Sequence, residues 1–397
     1  MPRGILYLAD ILNVVLFVCS VKRLISRREY AVRVVMGFLA VFLLYTLVGF
    51  LVNRGPILYY LWGLRNTFRF FLFFLSCLCW IRLEQIPSML QVLEWFLFLN
   101  VPVCCWQFWV QRLPFDNIAG LFGTANNGSS YMNILLIIVT SWSLLRYLHK
   151  RIPLWRFVLV VAAGVTISIL SELKAYYFEL FIIVIVALVI QMRKKEWNPR
   201  FLKTAGICAA GMLMMAVFTV VLQPEYWSGF FLPGGVWEEI TRLSGYSASG
   251  DLNRLTAVPY LFKNFFDSGP SSLLGFGLGN CDYSGFAFLT TPFYEAYQSL
   301  HYVWIHIAFL FLEIGFLGTA LYIGFFVVVG MTAWKNQMRY RQNSDRALLN
   351  HLTVVLSVSC LFLLFYDVSL RMESAYTVFF LLAIPYMKPE ETKEVEA

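Results

Sequence analysis

Arg65 and Arg69 lie four residues apart inside a long apolar run, so a helix there carries both on one face. A cation at the bilayer centre costs about 2.5–3.5 kcal/mol on insertion scales. Two on one face call for a wet cavity, a carboxylate partner such as Glu94 in the next apolar run, or an anionic ligand. The alternative is a helix beginning near Trp62, from which both side chains snorkel to headgroups. Ser171, Glu172, Leu173 and Lys174 put a second cation at a turn between two apolar runs, where an ordinary interfacial lysine is the simpler reading. Asp251, Arg254, Lys263 and Asp267 follow, and then Leu274 to Asn280, reading Leu-Gly-Phe-Gly-Leu-Gly-Asn. Spaced glycines such as Gly275 and Gly277 let a backbone turn tightly or approach a ligand. As a dinucleotide fingerprint the pattern is weak, because no βαβ unit surrounds it. His301 and His306 are five apart and share a helix face poorly, which makes them a poor metal pair. A single imidazole at a cavity mouth can instead act as a base or a phosphate ligand. His301, at a loop-to-span junction, suits that role; His306 reads as a hydrogen-bonded helix residue.

The elements that must position these residues follow from composition. The 397 residues are 59% hydrophobic and 14% charged, with a mean hydropathy of +0.69, whereas soluble domains carry about 25% charged residues. That excludes a water-soluble enzyme, a disordered chain and a nucleic-acid binder, and the formal charge of +8 reads as topology signals beside membrane spans. A bilayer core needs about 20 apolar residues per helix. About eleven runs qualify: Ile5–Val21, Val34–Val52, Ile57–Ile81, Met89–Val110, Tyr131–Leu148, Leu154–Leu170, Ala175–Gln191, Phe201–Leu222, Val303–Gly330, Leu348–Tyr366 and Ala375–Met387. They are too long and too continuously apolar for β-barrel strands, so the expected class is an all-α polytopic membrane protein. The first run resembles a signal peptide in length but lacks a basic start and a cleavage site, and reads as a retained span. Seven cysteines lie in apolar runs and only Cys281 in a polar stretch, with no zinc spacing. No metal and no cofactor is expected.

Most Lys and Arg fall in one set of connections, among them Arg23, Arg27, Arg146, Arg156, Arg193, Arg200 and Arg339; the other set holds Arg3, Arg54, Arg112, Lys174, Arg242, Arg254, Lys263 and Arg371. Cytoplasmic enrichment in basic residues then places the first set inside and the N-terminus outside. The chain reads as one integral membrane domain over 1–397. A large extracytoplasmic loop spans 223–300, and a short acidic tail, 388–397, lies in the cytoplasm. Within the loop, Val236–Leu243 and Arg254–Phe266 have helical apolar spacing, and two helices on or near the membrane surface are expected.

The order of these residues resembles the O-antigen polymerase and O-antigen ligase family of polytopic glycosyltransferases. That family has a Ser-Arg element before a large outer loop, an Arg in the loop followed by a Leu-hydrophobic-Gly-x-Gly turn, a His, and Glu-x-Gly-x-x-Gly opening the next span. Here Arg254 precedes Leu274, Gly275 and Gly277 at a fitting distance, and Glu313 to Gly318 matches the last element. The likeness runs from about Gly164 to Val329. Lys174 stands where the family has Arg, which keeps the charge and loses the bidentate fork. Neither histidine falls at the usual spacing before Glu313.

The resemblance implies transfer of a glycan from undecaprenyl pyrophosphate to a sugar hydroxyl, outside the bacterial cytoplasmic membrane and without metal. Fixed cations must meet the charge growing on the leaving pyrophosphate, and Arg254 and Lys174 are the candidates, joined by Arg65 and Arg69 if these face the cavity. His301 is the first candidate base, with Asp251 or Glu172 behind it. Asp251, His306, Gly275 and Gly277 are further substrate-binding candidates, and Tyr226, Trp227, Phe230, Phe231 and Trp237 can stack on sugars or seat the loop on lipid. The implied partners are the lipid-linked glycan, membrane lipid, and a chain-length regulator and flippase of the same pathway, with no nucleic acid. Polymerisation of O-antigen, capsular or exopolysaccharide units is the leading expectation. Ligase-type transfer to lipid A core or protein, and a lipid-linked sugar transporter, are the alternatives.

Overall fold

Each apolar run forms a helix in the structure, a computed structural model that describes residues 3–124, 128–193, 199–222, 251–266, 269–339 and 344–387. They are α1 (Arg3–Ser26), α2 (Tyr30–Asn53), α3 (Ile57–Trp80), α4 (Ile86–Trp109), α5 (Gly128–Leu148), α6 (Leu154–Leu170), α7 (Ala175–Arg193) and α8 (Pro199–Leu222). After the loop helices α9 (Ala257–Phe265), α10 (Gly269–Leu274) and α11 (Pro292–Tyr297) come α12 (His306–Arg339), α13 (Asp345–Tyr366) and α14 (Ala375–Leu382). The expected helix Val236–Leu243, the aromatics Tyr226, Trp227, Phe230, Phe231 and Trp237, Asp267 and the tail 388–397 lie outside the described residues. The described residues are 83% helical, with no strand among them.

Among the described residues, six helical segments are long and apolar enough to cross a membrane: Tyr30–Asn53, Leu83–Trp109, Gly128–Leu148, Arg200–Phe218, His306–Arg339 and Asp345–Tyr366. α6, α7 and α14 are apolar but shorter, while α1 and α3 carry Asp10, Arg65 and Arg69 in their interiors. The outer faces are greasy: Val41, Leu44, Val48 and Leu51 of α2 and Val92, Leu99 and Trp106 of α4 are exposed, whereas Arg69, Glu94, Glu179 and Glu313 are buried. Apolar outside and ionisable inside inverts the soluble pattern and identifies a membrane-embedded protein. α5 and α13 form its centre, with 89% and 78% of their spans buried against 28% for α2 and α8.

α12 is two half-helices joined at Gly315, whose φ of 63° and ψ of −170° only glycine adopts readily. Such a break frees the preceding carbonyls from their amides four residues on, and membrane interiors cannot leave them unmet. Here the glycine-rich turn supplies the donors. Phe276 N–H bonds the Leu312 carbonyl (2.8 Å) and Gly277 N–H the Glu313 carbonyl (2.9 Å). The Tyr45 hydroxyl of α2 donates to the Ile314 carbonyl (2.8 Å), shared with that of Leu273 (2.6 Å). Gly275, at φ 68°, comes so close that a Cβ would lie 2.6 Å from the Gly315 nitrogen.

This part of the loop is thus inside the bundle rather than on its surface. Leu252, Leu261, Phe266, Tyr302 and Phe309 make a small core between the loop and the first half of α12, and Cys281, expected in polar surroundings, is fully buried within it.

Candidate functional site

The intramembrane arginines find carboxylates on elements far apart in sequence. Arg65 reaches Asp10 of α1 through Nε (2.8 Å) and again through Nη2, and its Nη1 donates to Asn66 (2.8 Å). Asn66 donates to Asp282 of the loop (2.7 Å), which accepts in turn from Arg371 (2.9 Å). Arg69 donates to Glu373 (3.3 Å) and to the Arg371 carbonyl (2.8 Å), and stands 3.8 Å from Asp10. The circuit is therefore closed, and the Tyr131 hydroxyl of α5 joins it through Glu373. Three cations meet three acids.

Burial matters to the two groups of this circuit between α13 and α14. Burial works against the Arg371 charge, but the neighbouring carboxylates of Asp282 and Glu313 hold it above the ordinary guanidinium range. Burial likewise opposes the charge of Glu373, and the Tyr131 and Arg69 contacts outweigh that and keep the carboxyl below its usual value. Glu313, just before the helix break, accepts from Cys281 N–H (3.3 Å) through one oxygen; the other is buried without a partner.

At the same end the loop builds a second arrangement. Leu252 N–H bonds the Leu300 carbonyl (3.2 Å) and ties the strand of chain around Asp251 to the turn before α12. Asp251 then meets His301 Nδ1, which fixes the ring and leaves Nε2 as its other nitrogen. His301 sits in the left-handed region (φ 50°), unusual for histidine, and stacks on Trp304 at 4.0 Å. Its side chain is 39% exposed. Three residues past Asp251, Arg254 donates through Nε to the Tyr366 carbonyl at the end of α13 (2.6 Å), with its guanidinium 5.0 Å from the Tyr366 ring. Arg254 is exposed, and among the described residues it makes no carboxylate ion pair. Its attraction for Asp367, at the α13 terminus, offsets part of the rise that burial imposes on that carboxyl.

Several sequence expectations change. α3 begins at Ile57 and Arg69 is buried, so neither arginine snorkels from a helix starting at Trp62. Glu94 is not their partner: it is clamped by Arg146 (3.1 Å) and Arg156 (2.7 Å). Lys174 makes an ion pair with its neighbour Glu172 (2.7 Å). His306 is bonded through its backbone, to the Asp367 carbonyl (3.1 Å), while its ring Nδ1 is buried without a partner. Gly275 and Gly277 contact α12 and α2 backbone and side chains rather than open space. The structure brings together Asp251, Arg254 and His301 on one side and Arg65 and Arg69 on the other.

Sequence reading missed Asp10, Asn66, Asp282 and Glu373, and it marked Glu313 only as part of a motif and Arg371 only as a topology signal. Asp10 carried a legible signal, a lone acid inside the first apolar run that needs a cation as much as Arg65 needs an anion. Among the described residues no three His, Cys, Asp or Glu side chains are grouped to hold a metal ion. No family model matches the chain, and no curated protein does.

Proposed function

We propose that the chain is a polytopic glycosyltransferase that lengthens a glycan carried on undecaprenyl pyrophosphate, as a polysaccharide polymerase of the bacterial cytoplasmic membrane. The observation that carries this reading is the contact of the His301 imidazole with Asp251, three residues before an exposed guanidinium, that of Arg254, which makes no ion pair with a carboxylate among the described residues. Glycosyl transfer needs both. In the proposed reaction His301 Nε2 takes the proton of the acceptor hydroxyl as that oxygen bonds the anomeric carbon. The bond from that carbon to the pyrophosphate oxygen breaks, and the electron pair leaves with the phosphate. Arg254, whose Nη donors bond no carboxylate among the described residues, meets the charge where it develops. Asp251 holds the ring and stabilises the imidazolium that forms.

Arg65, Arg69 and Arg371 take a different part. Their charges are met by Asp10, Glu373 and Asp282, so they fix the shape of the end of the bundle against which the glycan lies. About eleven spans, an outside N-terminus, an extracytoplasmic loop over 223–300 and an inside tail complete the proposal, supported by the uneven distribution of Lys and Arg. The test is incubation of the purified chain in nanodiscs with undecaprenyl-pyrophosphate-linked repeat units, with and without EDTA. A product ladder that survives EDTA supports a metal-independent polymerase. A ladder abolished by EDTA contradicts metal independence. Intact substrate that is consumed only when a lipid A core or protein acceptor is added supports a ligase instead.

A further inference from the structure

The rings around Arg65 form a surface at the same end that the transfer chemistry leaves unused. The guanidinium of Arg65 lies between Tyr7 of α1 (5.2 Å) and Trp62 of α3 (4.8 Å). The loop extends this surface: Trp62 Nε1–H donates to the Tyr283 carbonyl (3.4 Å), and Tyr7 meets Phe286 at 5.6 Å. Tyr283 and Phe286 are each 43% exposed. Of the five N–H donors in the Arg65 fork, those at Nε, Nη1 and Nη2 reach Asp10 and Asn66, and one hydrogen on each Nη remains.

We propose that this surface is a saccharide subsite, holding sugar residues of the glycan next to the one that reacts. The inference rests on the transfer reading above. A pyranose has an apolar C–H face that covers an aromatic ring and a hydroxyl edge that needs directed donors and acceptors. Tyr7, Trp62, Tyr283 and Phe286 offer the first, and Arg65 with Asp10 the second. A lipid chain would use the rings and leave the charged edge unmet. Asn66 donates to Asp282 beside these rings (2.7 Å), and Asp282 accepts from Arg371 (2.9 Å), so the subsite is joined to the charge circuit by two hydrogen bonds.

The experiment uses the full chain in nanodiscs and, as probe, the repeat-unit oligosaccharide freed from its lipid by mild acid, with affinity measured by calorimetry. Loss of one stacked ring should weaken binding about tenfold in Trp62→Ala and in Tyr283→Ala, while Trp62→Phe stays within about twofold. Trp62→Phe keeps a ring and loses the bond to Tyr283, which separates stacking from structural support. Trp109→Ala, at an exposed position on α4, should bind as the wild type does. If Trp62→Ala fails to assemble, Tyr283→Ala carries the test alone. Equal affinity of the assembled alanine variants and the wild type overturns the subsite, as does a wild type that binds no oligosaccharide. A wild type that binds the oligosaccharide through these rings yet makes no polymer overturns the transfer reading and leaves the subsite standing.

Discussion

Arg254 differs from Arg65, Arg69 and Arg371 in making no ion pair with a carboxylate among the described residues, although Asp367 attracts it. A guanidinium in that state is ready for an external anion, whereas a paired one must first give up its partner. Under the proposed reaction Arg254→Ala should lose polymer formation by about a hundredfold or more while the protein still inserts, as removal of one charge-stabilising donor does elsewhere. Normal polymer from a well-folded Arg254→Ala variant would sink the assignment. Asp251→Asn should lower turnover by about a hundredfold, because the ring of His301 loses the acid that orients it and balances its charge. The turnover of this variant relative to wild type, at equal amounts of inserted protein, measures that role. Both side chains were legible in the sequence because polar residues in a loop between spans have no packing duty. Their mutual contact was not, since Asp251 and His301 are separated by 50 positions and meet only after the intervening loop has folded into the bundle.

The glycine-rich turn and the broken helix are one element. Sequence spacing marked both Leu274–Asn280 and Glu313–Gly318, but nothing in either stretch says that the first supplies hydrogen bonds to the second. Their shared logic is backbone accounting: carbonyls of Leu312, Glu313 and Ile314 freed by Gly315 are met by Phe276, Gly277 and Tyr45. Gly315→Ala should therefore destabilise the protein by at least about 1–3 kcal/mol from backbone strain alone, and more from the collision of its Cβ with the Leu273 carbonyl. Thermal unfolding in detergent measures this, and an unchanged transition would contradict a structural role for the break. Tyr45→Phe removes a donor and keeps the ring, leaving the Ile314 carbonyl unmet at a cost of about 1–3 kcal/mol. The apolar runs themselves were legible, since hydropathy follows from burial in lipid, and every run is a helix with ends within about five residues of those expected, apart from α12, which runs on to Arg339 instead of ending at Gly330, and α14, which is shorter.

Across the whole molecule, the charge circuit ties α1, α3, α5, the loop and the α13–α14 connection into one unit. Glu94 with Arg146 and Arg156 does the same for α4, α5 and α6 near the basic end. Sequence alone could not assign these partners, because ion pairing across helices depends on which faces meet. Breaking a buried pair leaves an uncompensated charge, so Arg69→Ala should cost about 3–5 kcal/mol, read as a lowered unfolding temperature. The depressed Glu373 carboxyl adds a pH signature. Its contribution is complete above the usual value of 4.5 and is lost as acid takes the pH down through the lower folded-state value. Glu373→Gln should flatten the acid limb of the stability curve, and an identical limb in variant and wild type would contradict the pairing. The proposed chemistry is reached most directly by the nanodisc incubation with undecaprenyl-pyrophosphate-linked repeat units, run in parallel with wild type and Arg254→Ala. The account predicts a ladder of lengthened glycans from the wild type and none from the variant. Intact lipid-linked substrate with the wild type, or equal ladders from both, would contradict it.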